Sequence, residues 1–260
     1  LGGPEATYSG YVAWRIMLEE REFPPALHRE VFETYCFCLP EGEQLLGYPV
    51  PGRNNETRAG HRAYNIVWYR PVEASRELAD MLTDAGGRYH PLGIPPPLIR
   101  PELLARTKDA ARRLMAPQIA QIVARSRPFF QPIYDLESAT LVAGRAALMG
   151  DAAFVARPHM GAGVTKAALD AAALADSLRD CGNDLAPALA RYQRVQQPLG
   201  QELVSLARQE GAYLGARLKP VEQRTPDEQE RDFQSIIWSH ENRRISIQQL
   251  VSERAARLAG

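Results

Sequence analysis

Apolar and polar positions divide the first half of the chain into short extended segments separated by turn residues. β-branched and aromatic residues are concentrated in 7–18, 31–39, 45–50 and 63–72, which is typical of strands. The polar, glycine-containing segment 53–62 predicts a loop. Because turn residues recur at short intervals and no strand alternates with a helix, these segments predict a largely antiparallel sheet.

The second half of the chain has mostly the apolar spacing of helices. Three prolines at 95–97 mark a rigid break before it. The predicted elements are helices over 101–124, 165–178 and 185–214 and strands over 129–134 and 145–149. We expect the last helix to be interrupted near Pro198, because proline lacks the N–H that a helix interior uses. Acidic residues early and arginines late in 225–258 favour one or two surface helices in this tail.

Charge and composition remove several classes of function. Lys plus Arg and Asp plus Glu both number 31 in 260 residues, so the formal net charge is zero. This balance removes the electrostatic argument for binding nucleic acid or an anionic membrane. No apolar run approaches the roughly 20 residues that cross a bilayer, and 45% hydrophobic residues are ordinary for a soluble globular protein.

The cysteines indicate a reducing environment. An odd count of three, Cys36, Cys38 and Cys181, does not form a disulfide framework, and we expect a cytoplasmic protein. Cys36 and Cys38 face the same side of a predicted strand. We interpret them as small buried hydrophobes rather than metal ligands, because no further ligand types accompany them. The sequence therefore predicts no metal site.

One stretch, GRAALMGDAAFVARPHMGAGVTKAALDAAALADSL over 144–178, combines several features of a ligand site. A predicted buried strand ends at Gly150-Asp151, where an ionised carboxylate can accept hydrogen bonds from hydroxyl or N–H groups. Ten residues later the glycine turn 161–163 leads into a helix, whose unpaired N–H groups favour negative charge. Each feature alone is more often a plain turn or helix entry. Their combination indicates half of a nucleotide site.

This stretch resembles the second flavin-binding segment of the FAD-dependent aromatic hydroxylases, the p-hydroxybenzoate hydroxylase-like family of flavoprotein monooxygenases. The similarity extends over residues 7–215. The segments most similar to the 2,6-dihydroxypyridine hydroxylase branch of that family are GYVAWR (10–15), GYPVPG (47–52), YNIVWYRPV (64–72) and GDAAFVARPH (150–159).

The resemblance implies FAD as cofactor and assigns positions to it. Asp151 would bind the ribityl hydroxyls, Pro158 would lie beside the isoalloxazine ring, and the backbone from Gly163 to Thr165 would face its N1 and O2 edge. The physical argument agrees, because a helix N-terminus stabilises the negative charge of reduced flavin. The implied cofactor-binding residues are Gly150, Asp151, Pro158, Gly161, Ala162, Gly163, Val164 and Thr165.

The resemblance also implies a reaction and a fold. In the family, NAD(P)H reduces the flavin, and O2 then serves to hydroxylate an electron-rich aromatic or N-heteroaromatic ring, here a hydroxypyridine-like one. We expect an α+β chain, part of an α/β FAD-binding fold, with an antiparallel substrate layer, a strand–Gly-Asp turn–helix flavin segment and C-terminal helices. The expected domains are a substrate-binding sheet with a helical insertion (1–134), the second part of the FAD-binding domain (135–215) and a helical segment (216–260). Relatives suggest a homodimer.

Candidate catalytic residues are His159, Tyr64 and Tyr48. His159 follows Pro158 and is expected to face the flavin or the substrate; a structural hydrogen bond is the alternative. An aromatic ring of the sheet can sandwich a planar substrate, and a tyrosine or histidine can take its proton. Core packing is the alternative for each tyrosine.

Further side chains are candidates for contacts with the substrate or the cofactor. Trp68 and His90 come from the same predicted substrate layer. Arg15 and Arg70 lie in apolar strands and would order the flavin or a carboxylate. Lys166 stands in the first turn of a helix, where a cation opposes the dipole, and either contacts an anionic substrate or the flavin, or is solvated.

The chain lacks a G-x-G-x-x-G turn between a strand and a helix, the unit that binds the ADP half of FAD. We therefore expect residues 1–260 to be the carboxyl-terminal part of a longer enzyme and to bind FAD weakly or not at all in isolation. The alternative is a non-catalytic remnant or interaction module of the same fold that no longer retains FAD. A flavoprotein with another activity, such as a dehydrogenase or a halogenase, is a third interpretation, ranked low because no W-x-W-x-I-P segment is present.

Overall fold

A computed structural model describes residues 6–216 and 219–225. The chain divides into two compact units. One unit consists mainly of Gly10–Ile133 and is called the sheet unit here. The other consists mainly of Tyr134–Tyr213 and is called the helix unit. The predicted tail helices over 225–258 lie outside the described residues, apart from Thr225. Among the described residues, no helix combines the length and apolar character that a bilayer crossing requires.

The sheet unit is built on antiparallel strands, as the sequence predicts. Its strands are β1 (Thr7–Glu19), β2 (Cys36–Cys38), β3 (Gln44–Val50), β4 (Ala63–Pro71) and β5 (Phe129–Glu137), in the spatial order β2-β3-β4-β1-β5. Strand β1 pairs with β4, and β3 pairs with both β2 and β4, each time antiparallel. The strand predicted over 31–39 is wrong in its first half, because Val31 and Phe32 belong to a π-helical turn over His28–Phe32.

Short helices complete the sheet unit. They are α1 (Pro25–Leu27), α2 (Ala79–Met81), α3 (Pro101–Leu114) and α4 (Pro117–Arg125). The single helix predicted over 101–124 is wrong, because the chain breaks at Met115 and Ala116. Ala116 is extended (ψ 145°), as the residue before a proline prefers to be, and Pro117 occupies the first position of α4.

The helix unit contains short strands and two long helices. These elements are β6 (Val142–Ala143), β7 (Ala146–Ala147), β8 (Phe154–Val155), α5 (Gly163–Asp180) and α6 (Leu185–Ala216). Strand β8 pairs with the end of β5, and β6 pairs with β7. The buried strand predicted over 145–149 is wrong: only two of its residues form a strand, and the side chains of Leu148 and Met149 are exposed. Helix α6 also continues through Pro198 rather than stopping there.

Phe154 is the centre of the helix unit's apolar core. Buried with it are Leu141, Ala153, Tyr192 and Val204. Helix α6 can approach this ring because residue 200 is glycine. A Cβ at that position would lie 2.2 Å from Cδ2 of Phe154 and 2.3 Å from Cε2, well inside van der Waals contact.

We expect Gly200→Ala to lower the free energy of unfolding by about 2 kcal/mol, because a methyl group overlaps a ring enclosed by the core. The free-energy cost of this overlap exceeds the gain of about 1 kcal/mol that alanine normally gives over glycine in a helix interior. Urea denaturation measures the difference. The matched control is Gly93→Ala, where a Cβ meets no atom within 4 Å and φ is not in the left-handed region. An unchanged or raised stability of Gly200→Ala would contradict this packing.

A buried carboxylate joins the end of β1 to the start of β4 in the sheet unit. The Arg62 guanidinium donates to both oxygens of Glu20, at 2.8 and 3.0 Å, and His28 Nε2 lies 2.9 Å from Glu20 Oε1. Arg62 also bonds Glu33 and stacks 4.8 Å above the Phe32 ring. The hydrogen bonds from Arg62 outweigh burial and lower the pKa of Glu20 from 4.5 to about 2.

This pKa shift predicts an acid-sensitive contribution to stability. Because the folded-state pKa is depressed, the contribution is fully present above pH 4.5 and is lost as the pH falls towards 2. Its size is on the order of 3 kcal/mol, from 1.36 kcal/mol per pKa unit. We expect Glu20→Gln to lower the unfolding free energy at pH 7 and to flatten its dependence on pH in that window. The exposed carboxylate variant Glu102→Gln is the control and should retain the wild-type slope.

Candidate functional site

The helix unit places the Gly-Asp pair of the sequence on a short 3-10 turn, Gly150–Ala152. Gly150 is buried and has φ +57°, a left-handed conformation that side chains disfavour. A Cβ there would also lie 3.3 Å from the Cβ of Ala167, because α5 packs against the turn. The next residue, Asp151, is exposed. The turn thus buries its glycine and presents a carboxylate to the outside.

Three side chains of the long helices hold the backbone of this turn. Asp170 Oδ2 accepts the Gly150 N–H at 2.7 Å, and Lys166 Nζ donates to the Gly150 carbonyl at 3.4 Å. The Tyr192 hydroxyl donates to the Leu148 carbonyl at 2.7 Å. Burial, and secondarily the charge of Asp170, raise the pKa of Tyr192, so this donor stays protonated. The peptide groups on either side of Met149 are therefore fixed from outside the turn.

Lys166 and Asp170 form a buried ion pair one helical turn apart. The Nζ–Oδ2 distance is 2.5 Å, and the two residues are 4% and 1% exposed. The ammonium also lies 5.2 Å from the centroid of the Phe154 ring. The solvated surface position considered for Lys166 in the sequence analysis is wrong, because the side chain is buried against Asp170. Its contact with an anionic substrate or the flavin stays a prediction.

The mouth of α5 is open. Helix α5 begins at Gly163, its N-cap Ala162 supplies no side-chain acceptor, and its first turn contains no acidic residue. A Cβ at Gly161 or Gly163 would meet no atom within 4 Å, and Val164 is 87% exposed. The first N–H groups of a helix have no partner within the helix. This end of α5 therefore presents N–H donors and a positive dipole end to an incoming acceptor.

An arginine-carboxylate cluster holds the segment that precedes the mouth. Arg157 donates to both oxygens of buried Asp135 at 3.0 to 3.2 Å, and Arg208 donates to the same carboxylate at 3.2 Å. The following 3-10 turn, Pro158–Met160, exposes its proline and buries His159. Gly161 then takes φ +58° and ends this turn. The predicted cofactor residues of 150–165 thus lie on two turns, Gly150–Ala152 and Pro158–Met160, and at the start of α5.

One face of the sheet unit carries polar and aromatic side chains. Tyr48 and Met17 are both register partners of Asn65, so the three side chains lie on this face. Tyr48 stacks on the half-exposed Tyr35, with centroids 5.2 Å apart and planes within 6°. Arg15 lies on the same face, 3.5 Å from the Asn65 oxygen, and its Nε is buried without a hydrogen-bond partner. This face therefore offers aromatic rings, Tyr48 and Tyr35, and a hydrogen-bond donor, Arg15 Nε, that has no partner among the described residues.

A cleft of about 600 Å³ opens at one end of this face. Met17 and Ala63 line it, and its rim carries the charged groups of Glu19, Arg21 and Arg53. The size is in the range of small-molecule sites, which combine an apolar wall with few polar groups.

Tyr64 lies on the opposite face of the sheet from Tyr48, because it is the neighbour of Asn65 along β4. It is fully buried against Phe23 and Phe32. Its hydroxyl donates to the Thr34 carbonyl at 3.1 Å and lies 3.0 Å from Cys36 Sγ. Burial is the main cause that raises its pKa. The structure does not bring the two predicted catalytic tyrosines together, and this environment disfavours Tyr64 as a proton acceptor.

Other side chains singled out in the sequence have partners within the sheet unit. Arg70 donates to Glu43 at 3.2 Å and stacks over Trp68, whose indole N–H donates to the same carboxylate at 2.8 Å. His90 pairs with Asp84 at 2.9 Å in the loop after α2. Burial raises the pKa values of Cys36 and Cys38. Within 6–216 and 219–225, no group of three potential ligands is placed to hold a metal ion.

Several residues of the site carry no role in the sequence analysis. Asp170 was visible as the partner of a lysine four residues earlier, the spacing of neighbours on a helix. Asn65 was visible by alternation, as the polar residue of an otherwise apolar strand. Asp135 had no sequence signal, since its partner Arg157 is 22 residues away.

Comparisons with known proteins show which sequences and folds this chain resembles. Residues 8–135 match a family model described as FAD binding domain-like. The chain is 32% identical over 174 residues to 2,6-dihydroxypyridine 3-monooxygenase of Paenarthrobacter nicotinovorans, a match that covers 67% of this chain and 43% of the relative. The structure of 2,6-dihydroxypyridine-3-hydroxylase from Arthrobacter nicotinovorans superposes with a TM-score of 0.74 at 28% identity, over 86% of this chain and 56% of the other.

A more distant structure shares the fold. Klebsiella pneumoniae HpxO, in complex with FAD and uric acid, matches 92% of this chain and 54% of its own with a TM-score of 0.61 at 22% identity. The chain thus spans about half the length of the proteins it matches. The predicted α+β fold with an antiparallel sheet is confirmed by these superpositions and by the strand pairing.

Proposed function

We propose that this chain, which is similar in sequence and fold to FAD-dependent aromatic hydroxylases, forms the flavin-ring and substrate-binding part of such a monooxygenase. The observation that carries the proposal is the Gly-Asp turn, which is hydrogen-bonded to Asp170 of α5, together with the uncapped start of the same helix. The substrate class is an electron-rich aromatic or N-heteroaromatic ring, hydroxypyridine-like, with NAD(P)H as reductant and O2 as oxidant.

The residues of the helix unit fit the middle of FAD in their chemistry. The ribityl chain offers hydroxyl donors, and the exposed Asp151 carboxylate is an acceptor-only group when ionised. The pyrimidine edge of the ring offers carbonyl and ring-nitrogen acceptors, and the first N–H groups of α5 are donors without side-chain competition. The empty space beside Gly161 and Gly163 admits a bulky planar group close to the backbone.

The start of α5 would stabilise negative charge on the flavin ring. When bound, FAD supplies the two-electron redox chemistry that lets O2 react with an aromatic ring. The N–H groups of Gly163, Val164 and Thr165 and the dipole of α5 would stabilise negative charge at the pyrimidine edge without transferring a proton. The exposed Pro158, next to the Arg157–Asp135 pair, would present an aprotic surface to the ring. The burial of His159 favours the structural alternative for this residue over a position facing the flavin or the substrate.

The substrate would use the polar and aromatic face of the sheet unit. Tyr48, supported by the stacked Tyr35, offers a ring surface for a planar substrate. Asn65 offers both a donor and an acceptor, and the unpaired Nε of Arg15 can donate to a ring oxygen or nitrogen. A hydroxypyridine carries both aromatic surface and such polar atoms, and this agreement supports it over an apolar ring.

We expect Asp151→Ala to weaken FAD binding of the full-length protein about tenfold, because one charge-assisted hydrogen bond to the ribityl chain contributes roughly 1.5 kcal/mol. Fluorescence titration with FAD measures the dissociation constant. Stability should not change, since the carboxylate is exposed.

The matched control is Asp176→Ala, which removes an exposed carboxylate of α5 that forms an ion pair with the exposed Arg179. It should bind FAD like the wild type. Equal FAD affinity of Asp151→Ala and the wild type would remove the proposed role of this carboxylate.

The two faces of the sheet predict a contrast between tyrosine variants. We expect Tyr48→Ala to weaken binding of 2,6-dihydroxypyridine about tenfold through loss of ring stacking, with FAD affinity unchanged. Tyr64→Phe should lose about 1 kcal/mol of stability from its buried hydrogen bonds and leave substrate affinity and the pH profile of turnover unchanged. A pH profile shifted by Tyr64→Phe would assign the proton acceptor to the buried face instead.

A further inference from the structure

Lys166 and Asp170 form a charged pair whose location is unusual. A cation in the first turn of a helix opposes the dipole, and removing both groups from water costs several kcal/mol per ion. A buried ion pair therefore adds little net stability compared with apolar side chains of the same size. Their presence in the core of the helix unit calls for a role other than holding the fold.

The hydrogen bonds of the pair show what it controls. Asp170 and Lys166 together engage the N–H and the C=O of one residue, Gly150. Because Asp170 Oδ2 accepts from both the peptide N–H and the ammonium, displacement of one donor disturbs the other. Gly150 has φ +57° and, as a glycine, the widest range of backbone conformations of the residues in the turn. The pair thus holds the residue whose own backbone is least restricted by sterics.

The orientation of the adjacent carboxylate depends on this glycine. Asp151 is exposed, and its side chain has no hydrogen bond to another residue that the structure describes. The backbone at Gly150 therefore sets the point from which this carboxylate extends. Preorganisation of such a group lowers the entropy that ligand binding must overcome.

We propose that the buried Lys166–Asp170 pair is a positioning device that locks the Gly150 peptide and thereby aims the Asp151 carboxylate at the ribityl chain. This inference rests on the proposed function, because it assumes that Asp151 receives FAD. Lys166 and Asp170 act through Gly150 and do not themselves touch the cofactor.

The test compares Lys166→Met, Asp170→Asn and the double variant in the full-length protein. Three quantities are measured: FAD affinity, thermal stability and hydrogen exchange of the segment 148–152 without FAD. Asp170→Asn keeps an acceptor for the Gly150 N–H but leaves the ammonium without its counter-charge. Lys166→Met removes the donor to the Gly150 carbonyl. The double variant removes both charges and keeps the amide acceptor.

If the pair has a positioning role, the FAD affinity and the thermal stability of the variants change independently. We expect each single variant to bind FAD about tenfold more weakly and to exchange hydrogen at 148–152 faster. The double variant should regain stability, because no uncompensated charge remains buried, yet its FAD affinity should stay low because the Gly150 carbonyl is still free. A purely structural role predicts that affinity returns together with stability.

Two controls complete the series. Ile122→Ala destabilises the buried side of α4 in the sheet unit and should leave FAD affinity unchanged below its melting temperature. Asp151→Ala and the wild type identify the source of a failure. Absence of FAD binding by the wild type, or unchanged affinity of Asp151→Ala, would overturn the proposed site and this inference with it. Wild-type affinity and exchange in the Lys166 and Asp170 variants, with Asp151→Ala impaired, would overturn the positioning role alone.

Discussion

The helix unit depends on one backbone constraint, the left-handed conformation of Gly150 held between a buried carboxylate and a buried ammonium. The chain reverses there between a short hairpin and the segment that leads into α5. Ala153, two residues after Asp151, is buried with Phe154, whereas Ala162, at the start of α5, is buried in a second cluster with Leu199, Leu203 and Ala207. The buried charges thus hold the backbone of the turn, and in the proposed site the exposed carboxylate would bind the ligand.

Side chains alternate along the strands of the sheet unit, so the buried supporting residues lie on one face and the proposed substrate-binding residues lie on the other. One face buries Tyr64 and Trp68 against helices and turns, with their polar atoms satisfied by Cys36, Thr34 and Glu43. The other face collects Tyr48, Asn65 and Arg15, where polar capacity remains. A shift of one residue in strand register would exchange the two sets. The antiparallel pairing is therefore as important for the proposed substrate contacts as the residues themselves.

The strands of the sheet and the long helices α5 and α6 could be predicted from the sequence, because the spacing of apolar residues follows the side of each element that is buried. Prediction failed where geometry was decided by proline at Pro117, and at 145–149, where an apolar run is mostly exposed. The Gly-Asp turn and the glycine entry to α5 could be predicted as local structure, since glycine marks backbone conformations that other residues disfavour. That they form a cofactor site stays a prediction. The inward direction of Lys166 could not, because an i, i+4 charge pair looks the same on a surface as in a core. Nor could Tyr64 and Tyr48 be placed on opposite faces without the register that fixes β3 against β4.

The contact of α6 with Phe154 has an evolutionary consequence. Since any side chain at residue 200 would enter the aromatic ring, the two positions are not free to change independently. Alanine or serine at 200 would fit without overlap only beside a residue smaller than phenylalanine at 154. The order in which the two residues change would therefore decide whether the intermediate protein is destabilised.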